Sequence, residues 1–330
     1  MPVERNMVYM EITEANAAMT ADKVISEVEK VVKGKSECVR KAFAAILAGG
    51  HILIEDVPGV GKTTLALAFS KAMALENHRV QFTPDVLPAD ILGFSMYNKD
   101  TGTFSYHQGT IICNLFLADE INRTSPKTQS ALLEVMEEGI VTVDGVSHKV
   151  PEPFIVIATQ NPKGSAGTQM LPESQLDRFM VCMSMGYPDA ESEIEIAKGK
   201  SLGDDYELIG QVIDAAGLSQ LKEIVDRIFV HDNIYKYMIK LVNETRNDDY
   251  IELGISPRGM IALTRMTKAI AFLEGRRYVI PEDVESVFPD VAKHRLLLNT
   301  KARVARTSEE AVLEKILRNV AKPTSYKIKG

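Results

Sequence analysis

The sequence has no tryptophan, and aromatic residues make up only 6% of its 330 positions. Its three cysteines, Cys38, Cys113 and Cys182, are far apart and odd in number, and they form no Cys-x-x-Cys pair. That excludes a disulfide framework and a thiolate zinc cluster, and it fits a reducing compartment. The six histidines are scattered, with no HxxxH pair to present two ligands on one helix face. Positive charge is not in excess: 38 Lys and Arg against 45 Asp and Glu leave −7. The chain therefore lacks the diffuse positive field of a general nucleic-acid or anionic-membrane binder. No apolar run approaches the roughly 18 residues of a membrane span, which argues against direct membrane insertion. Glu4, Arg5, Glu11 and Glu14 leave no room for the apolar core of a signal peptide, so a cytoplasmic location is expected.

What is present is the composition of an ordinary globular protein, 45% apolar and 25% charged. At about 150 residues per domain the length suggests two units. Val24, Val28, Val31 and Val32 recur at helical spacing, Gly34 stops that helix, and Ala42–Leu47 reads as a second, buried one. Short apolar runs at Ile52–Ile54, Val80–Phe82, Leu115–Ala118, Phe154–Ala158 and Phe179–Met183 read as buried strands. Helices are expected at Leu65–Leu75 and after the Ser125-Pro126 cap. This alternation predicts an α/β fold with a parallel sheet covered on both faces. Phe94–Tyr106 alternates weakly about Asp100-Thr101-Gly102, and Val141–Val146 carries Asp144-Gly145, a hairpin signal. After Tyr187-Pro188 the strand signals stop and helical periodicity runs to Val320. The expected division is an α/β core with its N-terminal helix at 1–187 and a helical domain at 188–330.

The strongest local signal is Pro58-Gly59-Val60-Gly61-Lys62-Thr63-Thr64, between a strand and a helix. Successive backbone N–H groups in a loop of small residues can wrap a triphosphate, and the following helix points its positive end at it. Lys62 would neutralise the β- and γ-phosphates, and the Thr63 hydroxyl would ligate Mg²⁺. The full pattern wants glycine where this chain has Asp56. Leu115–Ala118 ends in Asp119-Glu120. Two acids at a buried strand end are costly without a cation. Asp119 would hold the metal, and Glu120 would polarise an attacking water.

These stretches resemble the MoxR family of AAA+ ATPases. The resemblance rests on Glu55–Thr63, on Asp119-Glu120-Ile121-Asn122-Arg123-Thr124-Ser125-Pro126-Lys127 with Gln129, on Ala158–Pro162, and on Leu171–Phe179. Ser256-Pro257-Arg258 and Tyr278–Val284 extend it to roughly residues 20–300. In that family Asp is usual at the position of Asp56. The resemblance implies a five-stranded P-loop core with two hairpin inserts, which Phe94–Tyr106 and Val141–Val150 fit, followed by an all-α lid. It implies a ring, commonly a hexamer, that hydrolyses ATP to ADP with Mg²⁺. The ring would mature or assemble client protein complexes, often beside a partner with a von Willebrand factor A domain. Carried over, Asn161 matches the first sensor, Arg178 the arginine finger and Arg258 the second sensor. Arg123 matches a family position read as an interface or switch residue. Gly259 stands where alanine is common.

Blander accounts compete at several positions. Arg178 could pair within the domain to Asp177 or Glu173. Met183, Met185, Met260 and Met266 could be core or could line a groove. Cys113 and Cys182 read as buried residues on sheet elements. Lys293, His294, Arg295, Lys301, Arg303 and Arg306, and then Lys322, Lys327 and Lys329, read as a solvated face and tail or as a dock for an acidic partner. A nucleic-acid motor is the alternative function, because AAA+ helicases share the inserts. The second hairpin offers only Lys149 and His148, against Asp144. No Asn-Lys-x-Asp guanine reader is present.

Overall fold

The computed structural model describes residues 12–161, 169–188, 190–197 and 205–323. The chain opens with two helices, α1 (Ala17–Glu29) and α2 (Ser36–Leu47), before the first strand β1 (Ile52–Glu55). Then come α3 (Lys62–Ala72), β2 (Asn77–Gln81), the short α4 (Pro88–Leu92), and the hairpin β3 (Gly93–Asn98) and β4 (Thr103–Gln108). Strand β5 (Leu115–Asp119) leads to α5 (Pro126–Glu138), whose Ser125 cap accepts from the Thr128 N–H and whose end is the left-handed Gly139. A second hairpin, β6 (Ile140–Val143) and β7 (Val146–Lys149), precedes β8 (Ile155–Gln160), α6 (Glu173–Leu176) and β9 (Val181–Met183). Beyond Pro188 the elements are α7 (Ala190–Ala197), α8 (Ala215–Asp226), α9 (Asp232–Asn247), β10 (Ile251–Leu253), α10 (Pro257–Leu273), α11 (Pro281–Ala292), β11 (Leu297–Leu298), α12 (Thr300–Val304) and α13 (Glu309–Asn319).

Five strands form one parallel sheet in the order β2-β5-β8-β1-β9. Every residue of β5 and β8 is buried, as expected of a sheet sandwiched between helices. Alternate residues serve opposite faces. Ile52, Ile54, Leu115, Leu117, Ile155, Ile157, Val181 and Met183 pack with α1, α2, α3 and the C-terminal helices in one apolar cluster. Leu53, Phe116, Ala118, Val156, Ala158 and Cys182 pack with Leu132, Leu133 and Met136 of α5 and with Val141 and Val150 in the other.

Both inserts are present as hairpins. The second turns on Asp144 (φ 50°) and Gly145 (φ 79°), the primed turn that an Asp-Gly pair favours. The hairpins touch where the Tyr106 ring stacks on His148, centroids 3.8 Å apart. The helical region differs from the all-helical expectation in two places among the described residues, a parallel bridge between Phe229 and Tyr278 and a short ladder. Ile251–Leu253 pairs antiparallel with Leu297–Leu298, a ladder too short to leave a periodicity signal. Cys182 lies on β9, but Cys113 sits in a bend before β5. All three thiols are buried, and burial pushes each up to about 12, far from reactivity. Met183, Met185 and Met266 are core residues, and Met260 packs against them half-buried.

The basic stretch near residue 300 is not one solvated face. His294 and Arg295 are buried. His294 Nε2 lies 3.0 Å from the Phe179 carbonyl, and Arg295 donates to Asp177 Oδ1 at 2.7 Å and to the Phe179 carbonyl at 2.6 Å. These two residues fasten the end of α11 to the core instead of meeting solvent. Lys293 pairs with Glu310, and Lys301, Arg303 and Arg306 are exposed. Lys322 pairs with Glu285, whereas Lys327 and Lys329 lie outside the described residues, as does Pro162.

Candidate nucleotide site

The phosphate loop leaves the C-terminal end of β1 and enters α3. Gly59 (φ 88°) and Gly61 (φ 96°) adopt left-handed backbone that side chains resist. Pro58 and Gly59 are exposed at the tip, Val60 is buried beneath them, and Thr63 and Thr64 stand half-buried in the first turn of α3. The first intrahelical bond of α3 runs from Leu65 N–H to the Gly61 carbonyl, so the amides before it have no intrahelical partner, the ordinary setting for an anion. Lys62 is buried, and its Nζ donates to the carbonyls of Asp56 at 2.8 Å and Val57 at 3.3 Å. Burial pushes its pKa down while Asp56, Asp119 and Glu120 pull it up. A phosphate beside it would act in the same direction as the acids.

Asp56 explains its own place in the loop. Its Oδ2 accepts from Ser184 Oγ at 2.9 Å and from the N–H groups of Met185 at 2.7 Å and Gly186 at 2.8 Å. The carboxylate ties the phosphate loop to the segment leaving β9, while its backbone carbonyl steadies Lys62. Lys35 grips the same segment from α2's side, donating to the Gly186 carbonyl at 3.1 Å and to that of Tyr187.

Asp119 and Glu120 stand at the end of β5, two strands from the loop. Asp119 is buried, accepts from Thr159 Oγ1 at 2.7 Å, and pairs with Arg79, whose Nη2 lies 2.7 Å from Oδ2. Glu120 has φ 56°, a strained left-handed conformation for a non-glycine residue, of a kind that collects at functional sites. Its carboxylate is held by Gln81 Nε2 at 2.9 Å, Arg123 Nε at 2.9 Å and Asn161 Nδ2 at 3.2 Å. Arg123 therefore belongs to this cluster. Asn161 is buried at the end of β8, and its Oδ1 has no partner among the described residues. An acceptor left open beside Glu120 suits a water proton. Asn122 braces the Asn161 backbone, and Gln129 braces the turn through the Ile121 carbonyl at 3.1 Å.

A magnesium ion fits this donor set. The Thr63 hydroxyl makes no hydrogen bond among the described residues, and Asp119 adds one carboxylate. Magnesium takes such sparse oxygen sets together with phosphates and waters. No cluster of three or more His, Cys, Asp or Glu suited to a metal occurs among the described residues.

Arg178 and Arg258 lie elsewhere. Arg178 precedes the N-terminal end of β9, which runs parallel to β1 with Val181 opposite Ile52. The phosphate loop follows the opposite end of β1, so about 13 Å of strand separates the two edges. Both arginines meet on one carboxylate: Arg178 Nη2 is 3.1 Å from Glu137 Oε2, and Arg258 pairs with Glu137 Oε1. Arg178 also donates to the Leu133 carbonyl at 2.6 Å. Asp177 brings them together, because it accepts from Ser256 Oγ at the cap of α10 (2.8 Å) and from Arg295. The intradomain partner of Arg178 is thus Glu137, and Asp177 and Glu173 are not its partners.

Two family models match the chain, the ATPase family associated with various cellular activities (AAA) over residues 51–181 and an AAA lid domain over residues 243–316. The chain is 37% identical to chaperone MoxR1 of Mycobacterium tuberculosis over 92% of its own length and 82% of the relative's. The chain belongs to the MoxR family of AAA ATPases. It is also 43% identical to the uncharacterised Bacillus subtilis protein YeaC over 91% of this chain and 94% of that one. Among solved structures, a Cytophaga hutchinsonii protein described as a candidate ATPase superposes with TM-score 0.86 at 37% identity, covering 94% and 97% of the two chains. This MoxR-family ATPase has the parallel sheet, the inserts and the helical lid that the resemblance implies.

Arg79, Gln81 and Glu137 lie in none of the stretches that carry the resemblance, and Asn122 and Thr159 lie inside them with no role assigned. The sheet register places Gln81 opposite Asp119, so strand pairing was the signal that could have found it. Gly259, which the resemblance marks as unusual, has a local cause. A Cβ there would lie 2.5 Å from Ile255 Cγ2 and 2.8 Å from Arg295 Cδ.

Proposed function

We propose that this ATPase works as a head-to-tail ring that uses Mg-dependent ATP hydrolysis to remodel or assemble client protein complexes. One observation carries the ring: the two arginines meet beyond the N-terminal ends of β1 and β9, whereas the phosphate loop follows the C-terminal end of β1. Each chain then has two half-sites, and a heterologous contact that closes into a ring, such as a hexamer, would join them. The chaperone-like role is supported by the likeness to MoxR1. In this reading residues 1–187 are the core and 188–330 the lid, hinged where Asp56 and Lys35 hold the segment before Pro188.

ATP enters the loop from Pro58 to Thr64, and Lys62 exchanges two carbonyls for the β- and γ-phosphates. Thr63 and Asp119 would hold Mg²⁺, which when bound neutralises charge on those phosphates. Glu120 accepts a proton from the attacking water, and the open Oδ1 of Asn161 orients that water. Arg178 and Arg258 of the neighbouring subunit meet the charge that spreads over the γ-phosphate, an effect typically worth about 10³–10⁵ in rate. ADP release reopens the interface. The client and any von Willebrand factor A partner would bind away from this chemistry.

Mixing two dead variants tests the ring. Lys62→Ala keeps its arginines but loses its loop, and Arg178→Ala does the reverse. Each alone should be inactive, and the mixture should regain ATPase activity. A mixture that stays dead at every ratio overturns the reading. The hairpins give the nucleic-acid motor little support: their cations are Lys99, beside Asp100 at the first tip, and Lys149 on β7, and His148 is engaged by Tyr106.

A further inference from the structure

The cavity that holds Arg178 and Arg258 contains more positive charge than those two residues explain. It has a volume of about 270 Å³, and its charged lining is Arg178, Arg258, Arg265 and Arg295 against Glu137 and Asp177. Arg295 is spent on Asp177 and on carbonyls, and it is buried. Glu137 is shared by Arg178 and Arg258. Arg265 makes no hydrogen bond or ion pair among the described residues, and it is exposed at the cavity's mouth. Arg178 Nε is buried with no partner among the described residues. Here the chain, negative overall, gathers uncompensated guanidinium groups.

Helix geometry directs Arg265 to the same place. It lies seven residues after Arg258 on α10, two turns or about 10 Å along the axis, with Ile261 and Ala262 lining the cavity between them. Side chains on a helix lean toward its N-terminus, so Arg265 leans toward Arg258. Lys222, whose Cε lies against Gly49 at the same rim, is held below its ordinary pKa by burial; Asp226 and Glu152 pull it up, and Arg265 adds a smaller repulsion. Lys222 thus has acids beside it, whereas Arg265 makes no ion pair among the described residues and stands exposed to an incoming anion.

We propose that Arg265 is a third cation of the shared site, reaching the phosphates of the nucleotide bound by the neighbouring subunit while Arg178 and Arg258 take the γ-phosphate. This rests on the ring reading above. It assigns Arg265 a role in trans, one that neither the motifs nor the resemblance gives it.

The test uses the full chain with Mg-ATP. Arg265→Ala should lower kcat about tenfold in the assembled protein, a smaller loss than that of Arg178→Ala. Nucleotide affinity of the unassembled chain and the size of the assembly should stay unchanged, and Arg265→Lys should recover part of the rate. Arg265→Ala mixed one to one with Lys62→Ala should regain activity, because the second chain supplies the missing guanidinium to the first. An Arg265→Ala rate within twofold of the parent overturns the proposal. So does a loss that mixing does not rescue, or one that comes with smaller assemblies, since the residue would then act within its own chain or in assembly. The Arg178→Ala mixture is the control: if it is rescued and Arg265→Ala is not, this inference falls and the ring stands. If the Arg178→Ala mixture also stays dead, the ring reading itself has failed.

Discussion

Glu120 is held by three donors and faces an amide with an open acceptor, in a strained backbone conformation. Replacing it with Gln keeps the volume and removes the base. ATP hydrolysis should fall by about 10²–10⁴, the usual worth of a positioned base, while ATP still binds. Steady-state turnover together with equilibrium binding of a fluorescent ATP analogue checks both halves, and a Glu120→Gln variant that hydrolyses at the parent rate removes Glu120 from the chemistry. Asp56 predicts the converse, a structural loss. Asp56→Ala leaves the Ser184 hydroxyl and two backbone N–H groups without their acceptor. An unsatisfied buried donor costs about 1–3 kcal/mol, so the thermal midpoint should drop by several degrees. Nucleotide binding should weaken with it, because the same residue's carbonyl steadies Lys62.

At the scale of elements, α10 is placed by its cap and by the arginine that crosses its first turn. Ser256 caps the Gly259 N–H at 3.1 Å, and Ile255 and Arg295 fill the space where a Cβ of residue 259 would stand. Gly259→Ala should therefore destabilise the lid by about 1–3 kcal/mol through overpacking, despite alanine's better helix propensity. Denaturant titration measures the loss, and an unchanged or higher midpoint would show that Ile255 and Arg295 yield freely. This position also shows what the sequence could and could not convey. The strands, the phosphate loop, the acid pair and the Asp-Gly hairpin were legible because each rests on local pattern: apolar runs, glycines demanding positive φ, and a primed turn. The convergence of Arg178, Arg258 and Glu137 was not legible, because it depends on the tertiary placement of Arg258, at the start of α10, beside Glu137, at the end of α5. His294 and Arg295 were misread for the same reason. A run of basic residues signals solvent only when no neighbouring carbonyls are waiting for its donors.

At the scale of the whole molecule, one apolar cluster joins α1, α2, a face of the sheet and the lid helices. Core and lid should therefore unfold together, in a single transition. Two histidines couple that transition to acid. His51 Nδ1 accepts the Val156 N–H at 3.0 Å while Nε2 lies 2.9 Å from the Met136 carbonyl, a pattern only the neutral ring satisfies. Burial pushes its pKa down to about 4 from 6.5. His294 is likewise held well below 6.5, by burial and by the charge of Arg295. Above pH 6.5 both rings are neutral folded or unfolded, and stability does not depend on them. As pH falls below that, the unfolded chain takes up two protons that the folded chain refuses, so unfolding becomes progressively easier. The loss from His51 levels off only below about pH 4, where its folded form is protonated as well. Between pH 6 and 5 His51 should remove about 1 kcal/mol of unfolding free energy per pH unit, and His294 acts in the same direction. Urea titrations at pH 7.5, 6 and 5 read this directly. A midpoint that holds steady across that range would mean that one or both rings gain a proton without leaving the fold.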